Sequence, residues 1–262
     1  MSWTERQRLM LSEMGLTTWA APAPAPAPRP AEAPVRPSVH HASEPPVPQM
    51  AAPMPAPTPA PVDERLRHID QLDWTALRDA VADCRACGLC NSRTQTVFGV
   101  GDPQSNWMIV GEAPGEQEDL QGEPFVGASG ELLDNMLRAL HLTRSTQGPE
   151  PPSQRVYIAN TLKCRPPRNR NPEPAELQAC EPFLIRQIAL LQPRLILAMG
   201  RFAVQALLRS SEPVGKLRGK VHTYQGVPLI VTYHPAYLLR NLADKARAWD
   251  DLCLAAHVAE RT

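Results

Sequence analysis

No run of about 18 apolar residues occurs anywhere in the 262-residue chain, so no segment reads as an ordinary membrane-spanning helix. The N-terminal stretch "MSWTERQRLMLSEMGLTTW" also lacks an uninterrupted apolar run of signal-peptide length, and a cytoplasmic protein is expected. Excess charge of either sign is missing: 27 basic and 27 acidic side chains cancel, and four of each cancel within residues 1–62. The basic balance of a typical nucleic-acid binder is thus absent, and any such binding has to use local patches. Nucleotide-phosphate motifs are absent too, with neither a P-loop lysine followed by Ser/Thr nor a GxGxxG run. Cysteine is scarce, six in all, yet three fall in "CRACGLC" at 84–90. Disulfides are disfavoured in the cytosol, so cysteines this close together point to metal or redox chemistry rather than to staples.

Proline is plentiful but uneven. Half of the 30 lie between Pro22 and Pro61, among "APAPAPAPRP" and "PAPTPAP". Such Pro-Ala repeats favour extended polyproline II and bury too little surface to offset the entropy of ordering. Residues 20–62 therefore read as a semi-rigid, disordered linker. Ahead of it, residues 1–19 form a short amphipathic segment, with Leu9, Met10, Met14 and Leu16 at helical spacing. It reads either as a frayed leader or as a helix that docks on a protein partner. The foldable part spans 63–262.

Within it, residues 64–83 have the apolar spacing of one helix. Beyond the cysteines, "WMIVG" (107–111), "VYIAN" (156–160), "RLILAMG" (194–200) and "PLIVTYH" (228–234) read as four buried strands. Helical patterns separate them at 129–140, 174–191 and 201–208, with Pro182 expected to break or restart the second. A last helix covers 244–260. Alternating strands and helices imply an α/β fold with a mostly parallel sheet covered on both faces. Ligands of such sheets bind beyond the carboxyl ends of the strands.

The strand ends carry the polar chemistry. "GEAPG" (111–115) places Gly111 and Gly115 where peptide N–H groups can approach a ligand oxygen, although a Gly/Pro turn alone is ordinary. Phe125, in a Gly-flanked loop, reads equally as core or as a stacking face for a base. Asn160 offers a donor and an acceptor suited to a pyrimidine edge, and His234 could donate to a developing anion. Basic residues gather in three loops: Lys163, Arg165, Arg168 and Arg170; Lys216, Arg218 and Lys220; Arg240, Lys245 and Arg247. Such runs are usually solvated faces, but beside these loops they suit a phosphodiester backbone, with Arg165, Arg168, Arg170, Arg218, Lys220 and Arg240 as the candidates. Four thiols, Cys84 and Cys87 from one loop and Cys164 and Cys180 around another, fit either a tetrahedral zinc or an iron-sulfur cluster.

Taken together, "CRAC", "FGVGDP", "MIVGEAPGEQED", "GEPFVGASGELL", "YIANTLKCRPPRNRNP", the cysteine at 180 and "HPAYLLR" resemble the family 4 uracil-DNA glycosylases, over about residues 83–251. The resemblance implies a three-layer α/β/α fold around a four-stranded, mainly parallel sheet. It implies a structural four-iron, four-sulfur cluster on Cys84, Cys87, Cys164 and Cys180, with zinc the lesser alternative and Cys90 and Cys253 as ordinary thiols. It implies hydrolysis of uracil from DNA by a monomer, with Phe125 stacking on the base, Asn160 pairing with N3-H and O4, and His234 and turn N–H groups steadying the leaving anion. In the best-known uracil glycosylases an aspartate in the third place of the turn positions water. Ala113 stands there in this chain, and Glu112 is the first choice for a substitute role. Glu118 is assigned to crowding the uracil 5-position. The alternatives on the residues alone are an iron-sulfur redox protein and a non-catalytic DNA-binding module with a structural metal.

Overall fold

A computed structural model describes residues 62–261, with side chains from Glu64 onward. The amphipathic segment at 1–19 and all but the end of the proline-rich linker lie outside the described residues.

Four central strands run parallel, β2 (Trp107–Gly111), β3 (Val156–Asn160), β4 (Leu195–Met199) and β6 (Val227–Thr232). They are the four strands expected from sequence, and their order is β3-β2-β4-β6. The sheet nevertheless has six strands rather than four. The added ones are β1 (Val100–Gly101), antiparallel to β3, and β5 (Val221–Tyr224), antiparallel to β6. Neither could be seen as an apolar run: β1 has two residues, and β5 alternates exposed and half-buried positions as an edge strand does.

Every residue of β2, β3 and β4 is buried, because the two faces of the sheet are both covered. Met108, Val110, Tyr157, Ala159, Ile196 and Ala198 point to one side, onto α5 (Pro174–Leu191) and α6 (Arg201–Leu208). Trp107, Ile109, Ile158, Leu195 and Leu197 point to the other, onto α4 (Ala128–Ala139) and α9 (Lys245–Ala259). That period-two alternation produces the three-layer α/β/α arrangement.

The short helices α3 (Glu116–Gln121) and α7 (Val214–Leu217) are not among those expected from sequence, and two helix boundaries differ from the sequence reading. The stretch 64–83 forms two helices, α1 (Val62–Gln71) and α2 (Trp74–Ala82), because extended Asp73 caps the second by accepting from the Ala76 N–H at 2.8 Å. Pro182 leaves α5 unbroken. Arg65 of α1 donates to the Ala179 carbonyl at 2.9 Å, next to Gln178, whose carbonyl is the one that loses its ladder N–H at Pro182.

Strand order also places the site. From β2 the chain steps to β3 on one side and then crosses to β4 on the other, so the sheet's switch point lies at the carboxyl end of β2. The turn "GEAPG" begins there.

Candidate active site

A cleft of about 800 Å³ opens at these strand ends. It draws Glu112, Ala113 and Gly115 from the turn after β2, Phe125 from the loop before α4, Asn160 from the end of β3 and His234 from the residues after β6. Glu118, Arg170 and Arg240 line it as well. Nine of the expected site residues therefore share one cavity, of a size ordinary for small-ligand sites.

Gly111 stands behind its wall. A methyl group there would overlap Asn160 Oδ1 and the Phe125 ring, so glycine is what lets these two side chains meet. Phe125 adopts φ +56°, and its ring stacks on that of His234 at 5.3 Å between centroids and 27° between planes. Asn160 is only 2% exposed, and its Oδ1 has no hydrogen-bond partner. An orphaned buried acceptor costs about 1–3 kcal/mol, so it marks a place where a ligand donor belongs.

His234 caps α8 (Pro235–Arg240) by accepting from the Ala236 N–H through Nδ1 at 3.2 Å. That bond requires a lone pair on Nδ1, so the neutral ring carries its proton on Nε2. Burial, aided by the nearby Arg240 charge, pushes the imidazole down to about 4. Glu112 moves the other way. Burial raises its carboxyl above the ordinary value, opposed in part by Arg201. The Glu112 carbonyl accepts from the Leu162 N–H at 3.1 Å and from the Thr161 hydroxyl, which ties the turn to the end of β3.

Two side chains have partners that the sequence did not show. Glu118 braces the loops: its carboxylate accepts from the Gly115 N–H at 3.1 Å and from the Val126 N–H at 3.1 Å. The Gly115 N–H is thereby taken by Glu118. Lys163 does not belong to a DNA-facing patch. It is 1% exposed, and Nζ donates to the Asn160 carbonyl at 2.9 Å and to Gln187 Oε1 at 2.6 Å.

The remaining cations divide. Arg218 is held inward by Asp251, at 2.9 Å from each carboxylate oxygen, and by the Arg247 carbonyl. Arg170 clamps Glu176 at the start of α5 at 2.6 Å, although it still borders the cleft. Arg165 bonds Asn169 at 2.8 Å, while Arg168 and Lys220 are exposed away from the cleft wall. Arg201, which no sequence motif singles out, lines the cleft directly after Gly200, beside Glu112. Its signal was the strand end "AMGR", a Gly-Arg pair where the topology puts ligands.

Cys84, Cys87, Cys164 and Cys180 line one small pocket together with Lys163, and Cys90 borders it too with its thiol on Asn91 Oδ1 at 3.5 Å. Cys253 is exposed on α9. Among the described residues no three His, Cys, Asp or Glu side chains are arranged to hold a single metal ion. N–H groups are aimed at three of the sulfurs: Arg93 at Cys164 (3.0 Å), the Lys163 amide at Cys180 (3.3 Å) and Arg65 at Cys84 (3.9 Å). Donors of this kind suit sulfurs that carry negative charge.

A mainly parallel sheet with a ligand cleft at its switch point is an architecture of small-ligand enzymes, and the family model of the uracil-DNA glycosylase superfamily matches residues 98–253. The chain belongs to that superfamily, and within it to the type-4 uracil-DNA glycosylases. It is 40% identical to the type-4 uracil-DNA glycosylase of Pyrobaculum aerophilum over 193 residues, 70% of this chain and 93% of that one. The type-4 enzyme of Archaeoglobus fulgidus is 41% identical over 61% of this chain and 79% of its own. That of Thermotoga maritima is 40% identical over 64% and 84%.

Proposed function

We propose that the protein flips uracil out of DNA and hydrolyses its N-glycosidic bond, leaving an abasic site for base excision repair. The unpartnered Asn160 Oδ1 at the back of the cleft carries this reading. Uracil N3-H would satisfy it while the same amide donates to O4. Cytosine presents the reverse pattern at that edge and would leave buried groups unpaired.

Phe125 offers its ring to the flipped base. As the bond breaks, charge grows on uracil O2, and the neutral His234 donates to it from Nε2 without first having to lose a proton. Such a donor contributes on the order of 3 kcal/mol. Pro114 has no N–H and that of Gly115 is taken by Glu118, so Glu112 and Ala113 supply the turn's remaining backbone donors. The Glu112 carboxylate orients water or steadies the cationic sugar, the part that Ala113 cannot play. Arg240, Arg170 and Arg201 border the cleft where the phosphodiester must pass.

Cys84, Cys87, Cys164 and Cys180 would hold a four-iron, four-sulfur cluster, and their chemistry fits it: four sulfurs on one pocket, three with N–H donors. When bound, the cluster supplies structure, pinning the loop "RPPRNRNP" and the entry of the chain into the fold. None of the described helices is long and apolar enough to cross a membrane; the enzyme acts as a cytoplasmic monomer, and the sequence of residues 1–19 would offer a docking motif to a protein partner.

The test is incubation with uracil-containing single- and double-stranded DNA, followed by alkaline cleavage of abasic sites. Strand scission is expected. Its absence on both substrates, with the metal intact, would leave the redox or DNA-binding readings standing.

A further inference from the structure

Arg144 lies on an extended segment outside the sheet, held against the start of β3 by a parallel bridge between Thr143 and Arg155. Two backbone bonds fix it there, Thr143 N–H to the Gln154 carbonyl and Val156 N–H to the Thr143 carbonyl, both at 2.9 Å. From this rigid base its guanidinium, 16% exposed, reaches the loop before α4. It donates to the carbonyls of Pro124 and Phe125, each at 2.9 Å, and to that of Gly130 at 3.4 Å, while Nε bonds Asp134 Oδ1 at 2.7 Å.

The loop so gripped presents Phe125, whose φ of +56° is unfavourable for an aromatic residue and persists only where the surroundings impose it. Gly130 is part of the same fastening, because a methyl group there would collide with the Phe125 carbonyl. On the other flank Glu118 holds the Val126 N–H. A planar fork of donors can reach three carbonyls and a carboxylate together, and an ammonium cannot.

We propose that Arg144 is a positioning residue for base recognition: it fastens the Pro124, Phe125 and Gly130 carbonyls and so holds the Phe125 ring in the cleft. The proposal rests on Phe125 being the stacking face for the base.

The experiment measures kcat and KM on uracil-containing DNA for Arg144→Ala, Arg144→Lys, Phe125→Ala and the Arg144→Ala/Phe125→Ala pair, with affinity for abasic-site DNA alongside. Arg144→Ala should lower kcat on the order of 100-fold, the scale of an ångström-sized misplacement, with abasic-site affinity unchanged. Added guanidinium ion should restore part of the loss. Arg144→Lys keeps the charge facing Asp134 and should lose kcat while still folding, with a smaller drop in melting temperature than Arg144→Ala, which carries the test if the alanine variant fails to fold. The double variant should be no worse than Phe125→Ala alone, since both act through one ring. Wild-type kcat in both Arg144 variants, or losses that multiply in the double variant, would overturn the positioning role while Phe125→Ala remains impaired. Full activity of Phe125→Ala would instead sink the stacking reading, and the proposal with it.

Discussion

The rings of Phe125 and His234 stack face to face at 5.3 Å between centroids. A base sandwiched between them would need two successive stacking gaps, roughly 7–8 Å, which this separation does not provide. On the proposed function uracil would take the free face of Phe125, across the ring from His234, so a hydrogen bond from His234 to O2 requires the two rings to part from this stack when the base enters. Replacing Phe125 by Ala should cost about 1–3 kcal/mol, the worth of one base-aromatic stack. It should appear in kcat/KM for uracil-containing DNA and not in binding of abasic-site DNA.

Asn160 separates function from stability. Its orphaned acceptor is a cost to the free protein, so Asn160→Ala should leave the melting temperature unchanged or raise it while uracil release collapses. A variant that loses both together would assign the side chain to the fold.

Two shifted groups set the acid side of the pH profile. His234 is depressed to about 4, so it is neutral throughout the ordinary histidine range and no activity limb should lie near 6.5. Glu112 is raised by burial, so its ionised form, the one assigned to water or the sugar cation, is lost first as pH falls. The acid limb of kcat/KM should thus lie above the usual glutamate value, and in Glu112→Gln the residual activity should lack it. For stability the sign is also fixed. The unfolded chain binds the His234 proton more tightly, so the contribution of the neutral ring is complete above about 6.5 and fades as pH falls towards 4. A limb near 6.5 that vanishes in a His234 variant would contradict the buried, neutral ring.

Arg201 and Arg240 border the cleft and have no ion-pair partner among the described residues, whereas Arg218 holds the fully buried Asp251. Arg201→Gln and Arg240→Gln should each reduce the slope of log affinity against log salt by about 0.9, one phosphate contact apiece. Arg218→Gln should leave that slope alone and destabilise the fold by roughly 3–5 kcal/mol, the scale for leaving a buried charge unpaired. Equal slopes for all three variants would remove the distinction.

Much of this architecture was legible because buried parallel strands are short apolar runs that stop at Gly, Asn or His. Strand identity and the ligand-facing ends of "WMIVG" and "VYIAN" follow from that pattern alone. The edge strands β1 and β5 were not legible, since one is two residues long and the other is half solvated. Side-chain commitments were hidden for a different reason. Lys163 and Arg218 look like any loop cation in sequence, and only their partners, the Asn160 carbonyl and Asp251, turn them inward. Glu118 likewise has the spacing of a site residue, yet its two oxygens hold backbone N–H groups on separate loops.

The cysteine pocket makes the last prediction. Burial pushes the Cys180 thiol up to about 12, and it raises Cys164 and Cys87 as well. Without a metal these thiols stay protonated at neutral pH, and the buried Lys163 ammonium beside them faces no thiolate charge. Assembly of the proposed cluster would have to expel the thiol protons, so its stability should weaken as pH falls. The anionic thiolates would in turn stabilise Lys163, whose Nζ anchors the Asn160 carbonyl. Purified protein should absorb at about 400 nm through thiolate-iron charge transfer. Cys180→Ala should abolish that band, lower the melting temperature and weaken uracil release through the displaced Lys163 and Asn160. A colourless, zinc-loaded protein would overturn the cluster. Loss of the band with uracil release intact would show that the cysteine pocket and the base pocket are independent.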